Sequence, residues 1–500
     1  MTRITINGEK VDADPAQPLV HALHEHGLPV PIYCYHPGLT PVGSCRICQV
    51  EVKQGELPAR VVVACRQPVV EGLVVETETE KAHAVRRECL EFLLKNHPLD
   101  CPICDKAGEC DLQDFAYAEG QGEGRSVEPR RKLNKRKSLG DVILLDEERC
   151  ILCSRCVRFM EEVPETPQLT VAGLGSRSVI ATFADRPLSG NYQGNLADIC
   201  PVGALTLKKF RFQARVWNLR KSPSTCAECS RGCSTNVDVL RGREVKRIRP
   251  RYNPDVNRWW MCDTGRFAFD RFQPEGRLVG ALVRGSHGLE QAPVEEALDR
   301  ASDALLGHPE PLLVLSPFAT QEEARALLTL AGAAAARVRF VSPPPNDLAD
   351  EVLHTGDPCP NRRGLTELGI EGRRTEELLE ELASCEAALL CGERVLELLG
   401  LVTAEPPGTA EAAAELPSGL RLFVADVHAL DAPAVKACFG VPYSVEKTGT
   451  WVNVDGHRGA LSAARGTPTG VTPLERLASE LHSRLAAPGE PEEIGEVHAQ

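Results

Sequence analysis

No apolar stretch in these 500 residues approaches the ~20 needed to cross a bilayer, and the mean hydropathy is negative, at -0.20. Any membrane contact is therefore expected to go through partners. The opening segment, MTRITINGEK, has no charged run followed by an apolar one, so no signal peptide is expected. Basic residues are in deficit, with 57 Lys and Arg against 70 Asp and Glu and a net charge of -13. That balance argues against a nucleic-acid partner, because a polyanion requires basic surface. No GxGxxG follows a strand pattern, so the usual phosphate cradle for a flavin or nicotinamide dinucleotide is missing. No solenoid-type repeat is found.

What is abundant is cysteine, 20 in all. Where thiols stay reduced, closely spaced cysteines read as metal ligands rather than as a disulfide framework. Fifteen of them, with one histidine, fall into four sets of four. The first is Cys34, Cys45, Cys48 and Cys65, and the second is His97, Cys101, Cys104 and Cys110. The third is Cys150, Cys153, Cys156 and Cys200, and the fourth is Cys226, Cys229, Cys233 and Cys262. Thiolate is a soft donor suited to iron-sulfide cores, which usually take four such ligands.

Spacing then distinguishes the sets. In the first, YCYHPGLTPVGSCRIC places ten residues before a CxxC pair, and the fourth cysteine follows a strand pattern. This is a relative of the plant-type 2Fe-2S loop, whose first gap is shorter. Gly38 and Gly43 suit a loop whose N-H groups must turn toward sulfide, often at positive φ. A zinc site is the alternative, although the long first gap is atypical of a zinc knuckle. In the second set, HPLDCPICDKAGEC, a histidine stands where a thiolate would. A lone histidine is more often a surface or core residue, but here it completes a set of three cysteines, and a neutral imidazole would make a cluster less anionic and shift its potential. In the third, CILCSRC supplies three ligands and Cys200-Pro201 a remote fourth. Bacterial ferredoxins place Cys-Pro three residues after such a loop; its absence there suggests a module that kept one 4Fe-4S site and lost its twin. The fourth set, CAECSRGC with Cys262, also fits structural zinc, and its position beside three cluster sites favours 4Fe-4S. Between its halves, VDVLRGREVKRIRPRYNP reads as a hairpin turning at Arg241-Gly242 that returns Cys262 to the first three ligands. The scattered Cys89, Cys359, Cys385, Cys391 and Cys438 read as packing residues.

One stretch runs against the overall charge. Arg125, Arg130, Arg131, Lys132, Lys135, Arg136 and Lys137 face a single acid, Glu128. A solvated linker between modules is the simpler reading, and a docking strip for an acidic partner subunit is the other.

The length exceeds what one core usually supports. At the N-terminus, strands are expected at 2–6, 11–14, 47–52, 60–64 and 73–77, with a helix from Pro18 to Gly27. A helix over 81–95, with Val85, Cys89, Phe92 and Leu93 as its apolar stripe, delivers His97. Further on, apolar runs at 312–315, 338–341, 387–390 and 420–424 alternate with helix candidates at 320–333, 374–384 and 431–437, which indicates a parallel α/β sheet. Residues 486–500, rich in Pro, Gly and Glu, read as a flexible tail.

Together, PIYCYHPGLTPVGSCRICQVEV, HPLDCPICDKAGECDLQD, and CILCSRCVRF with DICPVGALT resemble the large iron-sulfur subunit family of NADH:quinone oxidoreductase, respiratory complex I. The resemblance implies a multi-domain fold, α+β and then α/β. A 2Fe-2S ferredoxin-like (β-grasp) domain would occupy 1–80, and a His/Cys-ligated 4Fe-4S segment with the basic linker 81–140. A bacterial-ferredoxin-like 4Fe-4S module would occupy 141–215, and a small molybdopterin-oxidoreductase-type 4Fe-4S domain 216–272. It also implies one 2Fe-2S cluster on Cys34, Cys45, Cys48 and Cys65 and three 4Fe-4S clusters on the other sets, and it is the main reason to count His97 as a ligand. Related subunits often lack the fourth cluster.

From Cys226 onward the chain is similar to the iron-sulfur and following domains of molybdopterin oxidoreductases, clearly in NPDVNRWWMCDTGRFAFDRF and faintly in PCPNRRGLTELGI and EKTGTWVNVDGHRGAL. Too few residues follow Cys262 for the domains that enclose a molybdenum cofactor there. Residues 273–485 are therefore expected to be a shortened α/β domain without molybdopterin, and no FMN is expected anywhere. The family's role implies an electron relay within an oxidoreductase, with no catalytic residue of its own: single electrons arrive from a flavin on a neighbouring subunit and leave toward quinone. The implied partners are other peripheral-arm subunits, including the NADH/FMN subunit and the quinone-proximal iron-sulfur subunit, on the cytoplasmic side of a bacterial inner membrane. The diaphorase part of an NAD-linked hydrogenase or formate dehydrogenase is the alternative, and a zinc-stabilised assembly scaffold is a non-redox rival.

Overall fold

The alternation in Thr2–Ile6 (β1) buries Ile4 and Ile6, and the chain returns through Asn7 and Gly8, both at positive φ, as Glu9–Ala13 (β2). Leu19–Glu25 (α1) turns Leu19, Val20, Ala22 and Leu23 inward and gives way to Gly27 at φ +70. Gln49–Gln54 (β3), Arg60–Val63 (β4) and Leu73–Glu76 (β5) complete a sheet of order β2-β1-β5-β3-β4, in which β1 and β5 are parallel and the other neighbours antiparallel. The computed structural model describes residues 1–272, 276–402, 410–411, 416–417 and 419–486, so the expected tail lies outside the described residues except for residue 486. The chain divides into two units, Met1–Leu219 and Arg220–Gln500.

Glu80–Leu94 (α2) begins at Thr79, whose hydroxyl accepts from the Ala82 N-H. Its inward face differs from the one expected. Ala82, Arg86 and Leu90 are buried, Val85, Cys89 and Leu93 are half-buried, and Phe92 is exposed. The reason is Arg86, whose guanidinium reaches inward to the carbonyls of Gln49 (2.8 Å) and Thr77 (2.7 Å) and to Glu119 (2.7 Å), at the end of Asp111–Glu119 (α3). A cation fully satisfied by oxygen acceptors occupies the position that hydropathy assigns to solvent.

The rest of the first unit is short. Lys137–Ser138 (β6) and Ile143–Leu145 (β7) precede Arg155–Glu162 (α4), Leu169–Ala172 (β8), Val179–Thr182 (β9), Asn195–Ile199 (α5) and Leu205–Leu207 (β10). Antiparallel β10-β7-β6 and the β8-β9 hairpin frame the two helices. The basic stretch is tethered here rather than free. Arg125 pairs with Glu88 and Glu91 (both 2.6 Å), Lys135 with Glu148 (2.7 Å) and Lys137 with Asp185 (3.2 Å). Those three charges are balanced within the chain, which weakens the docking-strip reading.

In the second unit, Leu219–Thr225 (β11), Ser234–Leu240 (β12) and Glu244–Pro250 (β13) form one sheet, with the β12-β13 hairpin turning at Arg241 (φ +51) and Gly242 (φ +72) as expected. Asp263–Phe267 (α6) follows. Then come Ala281–Arg284 (β14), Leu289–Ala292 (β15), Val294–Gly307 (α7), Leu312–Leu315 (β16), Gln321–Ala333 (α8), Arg337–Val341 (β17), Arg362–Glu367 (α9) and Glu371–Arg373 (β18). Thr375–Ser384 (α10), Ala387–Cys391 (β19), Val395–Leu398 (α11), Ala410–Glu411 (β20), Arg421–Asp426 (β21), Leu430–Asp431 (β22) and Val435–Gly440 (β23) continue the sheet region. The hairpin Gly449–Val452 (β24) and Arg458–Leu461 (β25) and the helix Leu474–Leu485 (α12) close it.

The large sheet has the order β15-β14-β23-β21-β19-β16-β17-β18. It is mixed rather than parallel: the six strands from β23 to β18 run parallel, and β14 and β15 add antiparallel at one edge. Residues 431–437 are not a helix. Val435–Gly440 is a strand between β21 and β14, where burial and ladder hydrogen bonds override the helical spacing of its alanines and valine. The four expected strands and the helices at 320–333 and 374–384 are present. Strand order reverses between β16 and β19, the position where such sheets open a ligand crevice. Here Phe318 and Trp451, both buried, meet edge to face at 6.4 Å, with the Arg394 guanidinium 5.0 Å from the Phe318 ring centre. Among the described residues no helix is long and apolar enough to cross a membrane.

Candidate functional site

The first set is gathered by the N-terminal sheet. Cys34 and Cys45 lie in the loop between α1 and β3, Cys48 immediately precedes β3, and Cys65 sits in the turn after β4. The Ala64 N-H donates to the Cys48 carbonyl (2.8 Å), and the Cys34 N-H donates to the Cys45 sulfur (3.4 Å). Cys34, Cys48 and Cys65 are buried. The four thiols share hydrogen bonds, Cys34 with Cys45 and Cys65, and Cys48 with Cys65; this sharing holds Cys34 and Cys48 low and pushes Cys45 and Cys65 up. Gly43 has the left-handed φ (+69) expected of it, whereas the second such position is Arg46 (φ +58), not Gly38. Gly38 instead donates its N-H to the His36 ring (3.1 Å).

In the second set, Cys101 and Cys104 flank one tight turn, closed by the Cys104 N-H on the Cys101 carbonyl (3.0 Å), and Cys110 opens α3. Burial pushes Cys104 up and Cys110 up to about 11. His97 lies between α2 and this turn. Burial pulls its imidazole down to about 4, against the opposing pull of Asp100, so the ring is neutral at pH 7. Its Nδ1 is buried without a hydrogen-bond partner.

The third set brackets α4 and α5. Leu152 (φ +53) and Ser154 (φ +58) hold left-handed backbone on either side of Cys153, and the Leu152 N-H donates to the Cys150 sulfur (3.4 Å). Cys150, Cys153, Cys156 and Cys200 face one small cavity, walled by residues such as Ile151, Ile180 and Leu205. Burial pushes Cys150 up to about 12, Cys153 up to about 11 and Cys156 well up. In the fourth set, the β12-β13 hairpin returns Cys262 to the three cysteines before β12, and the Gly265 N-H donates to the Cys262 sulfur (3.4 Å). Burial pushes Cys226 and Cys233 well up and Cys262 up to about 12.

The cysteines of each set are thus brought together, and His97 lies shortly before the second set's turn, though no three His, Cys, Asp or Glu side chains among the described residues converge on one point for a single ion. A cluster does not require such convergence, since no iron in it takes more than two of the protein ligands. The donor chemistry fits such a group in three further ways. The orphaned His97 Nδ1 lacks any acceptor or donor. A β-carbon on Gly203 would lie 2.3 Å from the Cys104 sulfur, and one on Gly265 would lie 2.7 Å from the Cys226 sulfur, so both sulfurs occupy space that only glycine leaves open. Neutral buried thiols ionise when a metal cation arrives.

Several residues were not marked by spacing. Arg155 and Arg158, just after ligands in CILCSRCVRF, donate to carbonyls on both sides of the first set's Cys34 loop. Arg215 donates to the Cys104 carbonyl (2.6 Å). Tyr33, beside Cys34, is fully buried against Phe115 (5.7 Å), and its hydroxyl has no partner. The arginines alone carried a signal, as charges inside a cysteine motif. The five remaining cysteines are packed as expected: Cys359, Cys391 and Cys438 are buried, and Cys89 and Cys385 are half-buried.

Comparison with known proteins follows the same order along the chain. Residues 1–80 match a 2Fe-2S iron-sulfur cluster binding domain, and residues 86–125 the NADH-ubiquinone oxidoreductase-G iron-sulfur binding region. Residues 140–206 match the NADH-quinone oxidoreductase subunit 3 ferredoxin-like domain, and residues 219–273 the molybdopterin oxidoreductase Fe4S4 domain. The NADH-ubiquinone oxidoreductase 78 kDa subunit of Neurospora crassa is 41% identical over 302 residues, 60% of this chain and 40% of that protein. An NADH-quinone oxidoreductase subunit of Streptomyces coelicolor is 38% identical over 309 residues, 61% of this chain and 36% of that protein. The chain therefore spans less than half the length of these relatives. A solved NAD+-reducing [NiFe]-hydrogenase in the H2-reduced state aligns at a TM-score of 0.38 with 32% identity, over 43% of this chain and 91% of that one. Through residues 1–206 the chain is similar to the iron-sulfur regions of NADH-quinone oxidoreductase subunits, and residues 219–273 are similar to a molybdopterin oxidoreductase Fe4S4 domain.

Proposed function

We propose that this chain is an electron-relay subunit of the peripheral arm of an NADH:quinone oxidoreductase. The observation that carries the reading is the succession of four largely buried cysteine-rich sets, three within segments related to that enzyme's iron-sulfur regions and the fourth within a molybdopterin-oxidoreductase-type Fe4S4 segment. Cys34, Cys45, Cys48 and Cys65 would hold a 2Fe-2S core; His97 with Cys101, Cys104 and Cys110, Cys150 with Cys153, Cys156 and Cys200, and Cys226 with Cys229, Cys233 and Cys262 would each hold a 4Fe-4S core. Such cores accept and release single electrons. The chain's own work is to hold them at fixed separation, exclude water and set local charge. Domain divisions at 80, 140, 215 and 272 follow from this assignment.

The second unit supports the reading by what fills it. With Phe318, Trp451 and Arg394 in the crevice between β16 and β19, we infer a scaffold without molybdopterin. Its expected partners are the flavin-bearing and quinone-proximal subunits, with membrane association only through them, on the cytoplasmic side of a bacterial membrane.

The test is iron and sulfide assay of anaerobically purified chain, with low-temperature EPR after reduction. About 14 iron with matching sulfide, and both two-iron and four-iron signals, are expected from the ligand counts. Colourless protein holding zinc would end the proposal and favour an assembly scaffold.

A further inference from the structure

Two buried arginines join the first ligand set to the third. Arg155 and Arg158 lie on α4, on either side of the ligand Cys156, and both are 6% exposed. Arg155 donates through Nη2 to the Tyr35 carbonyl (2.6 Å) and through Nη1 to the Ile199 carbonyl (3.1 Å). Tyr35 follows the ligand Cys34, and Ile199 precedes the ligand Cys200, so one guanidinium spans the two loops. Arg158 donates through Nη2 to the Cys34 carbonyl itself (2.5 Å), through Nη1 to the Thr40 carbonyl (2.6 Å) and through Nε to the Ser154 hydroxyl (3.3 Å).

Every one of these acceptors is a neutral oxygen. None of these contacts is an ion pair. Glu162, on the same helix, accepts from the Thr40 N-H (2.7 Å) instead, and Asp111 senses Arg155 only at longer range, its carboxyl being raised chiefly by burial.

Burying a guanidinium among neutral acceptors is costly unless an anion shares the site. No carboxylate is hydrogen-bonded to either guanidinium here. The anions that remain are the thiolate-ligated cores themselves, since four thiolates leave either core with net negative charge and each electron adds one more. We propose that Arg155 and Arg158 are positioning residues that clamp the first ligand loop to the third and act as countercharge shared by both clusters, so that the two reduction potentials depend on the same pair of cations. This rests on the relay reading above, and it adds which groups of the chain couple two centres.

The experiment is a redox titration followed by EPR on the assembled complex, comparing wild type with Arg155→Met, Arg155→Lys and Arg158→Met. In the Met variants both the first and the third centre should titrate at lower potential, because reduction loses a stabilising cation, while Arg155→Lys should remain near wild type. Both centres present with potentials unmoved, a shift confined to one centre, or an equal shift in Arg155→Lys would overturn the proposal. Should the Met variants lose clusters, wild type still decides: the four-iron third centre, once reduced, should accelerate spin relaxation of the first, and no acceleration refutes the clamp. Wild type lacking iron altogether would instead overturn the relay reading.

Discussion

A β-carbon on Gly203 would stand 2.3 Å from the sulfur of Cys104, so the loop after the third set's last ligand closes directly onto a ligand of the second. The Asp111 N-H, next to Cys110, donates to the Pro201 carbonyl (3.1 Å) across the same junction. A sulfur fixed to a cluster cannot retreat as a free side chain can. Gly203→Ala should therefore cost about 1–3 kcal/mol through overpacking, and that strain should fall on the second set. EPR of the reduced variant should lose or broaden one four-iron signal while the two-iron signal persists; an unchanged spectrum would show that the junction yields.

Cys153 stands between two left-handed residues in a loop whose other cysteines face the same cavity. Cys153→Ala should empty or remodel that centre. In membranes containing the complex, NADH-to-quinone electron flow should fall to a small fraction of wild type, while NADH oxidation with an artificial acceptor at the flavin survives. Equal loss of both activities would argue against a relay role for this chain.

In the second unit, Lys447 and Glu323 form a buried pair at 2.8 Å, with side-chain exposures of 7% and 1%, and the same ammonium donates to the Phe318 carbonyl (3.0 Å). Glu323 also closes a reciprocal cap with Thr320 at the start of α8. Lys447→Met leaves that carboxylate buried without its cation and should destabilise the unit by about 3–5 kcal/mol. Adding Glu323→Gln should recover part of the loss. Denaturant unfolding of the two variants, compared as a cycle, measures the coupling.

Much of this was legible in the primary structure because local chemistry decided it. The Asn7-Gly8 and Arg241-Gly242 turns, the strands at β16, β17, β19 and β21, and the clustering of four cysteine-rich sets follow from patterns a few residues long. Long-range compensation was not legible. Arg86 lies inward because carbonyls of Gln49 and Thr77 and the carboxylate of Glu119 await it, and those partners come from elsewhere in the chain. Val435–Gly440 is a strand because β14, distant in sequence, pairs with it. The two faint echoes around Asn361 and Val452 gain meaning only in space, where the Val452 N-H donates to the Asn361 side chain (2.8 Å) and the Asn361 amide donates to the Ala319 carbonyl (2.8 Å).

Asp426, at the end of β21, is fully buried and accepts N-H groups from Arg394 (3.1 Å), Leu396 (2.9 Å) and Val427 (2.5 Å). Burial nevertheless pushes its carboxyl up to about 7 from 3.8, with Glu393 adding to the rise and the three N-H donors opposing it. A raised acid binds a proton in the folded state that the unfolded chain has already released. Its stabilising contribution is therefore complete below 3.8 and is lost as pH rises through about 7. At about 1.4 kcal/mol for each tenfold change in proton affinity, the loss is on the order of a few kcal/mol. Asp426→Asn, which cannot ionise, should lower stability at pH 5, because its NH2 turns a donor toward backbone N-H groups that both oxygens of the protonated acid can accept. The deficit should shrink toward pH 8. Urea midpoints of wild type and variant across that range check the sign, and a deficit that stays constant from pH 5 to pH 8 would place Asp426 in the charged state throughout.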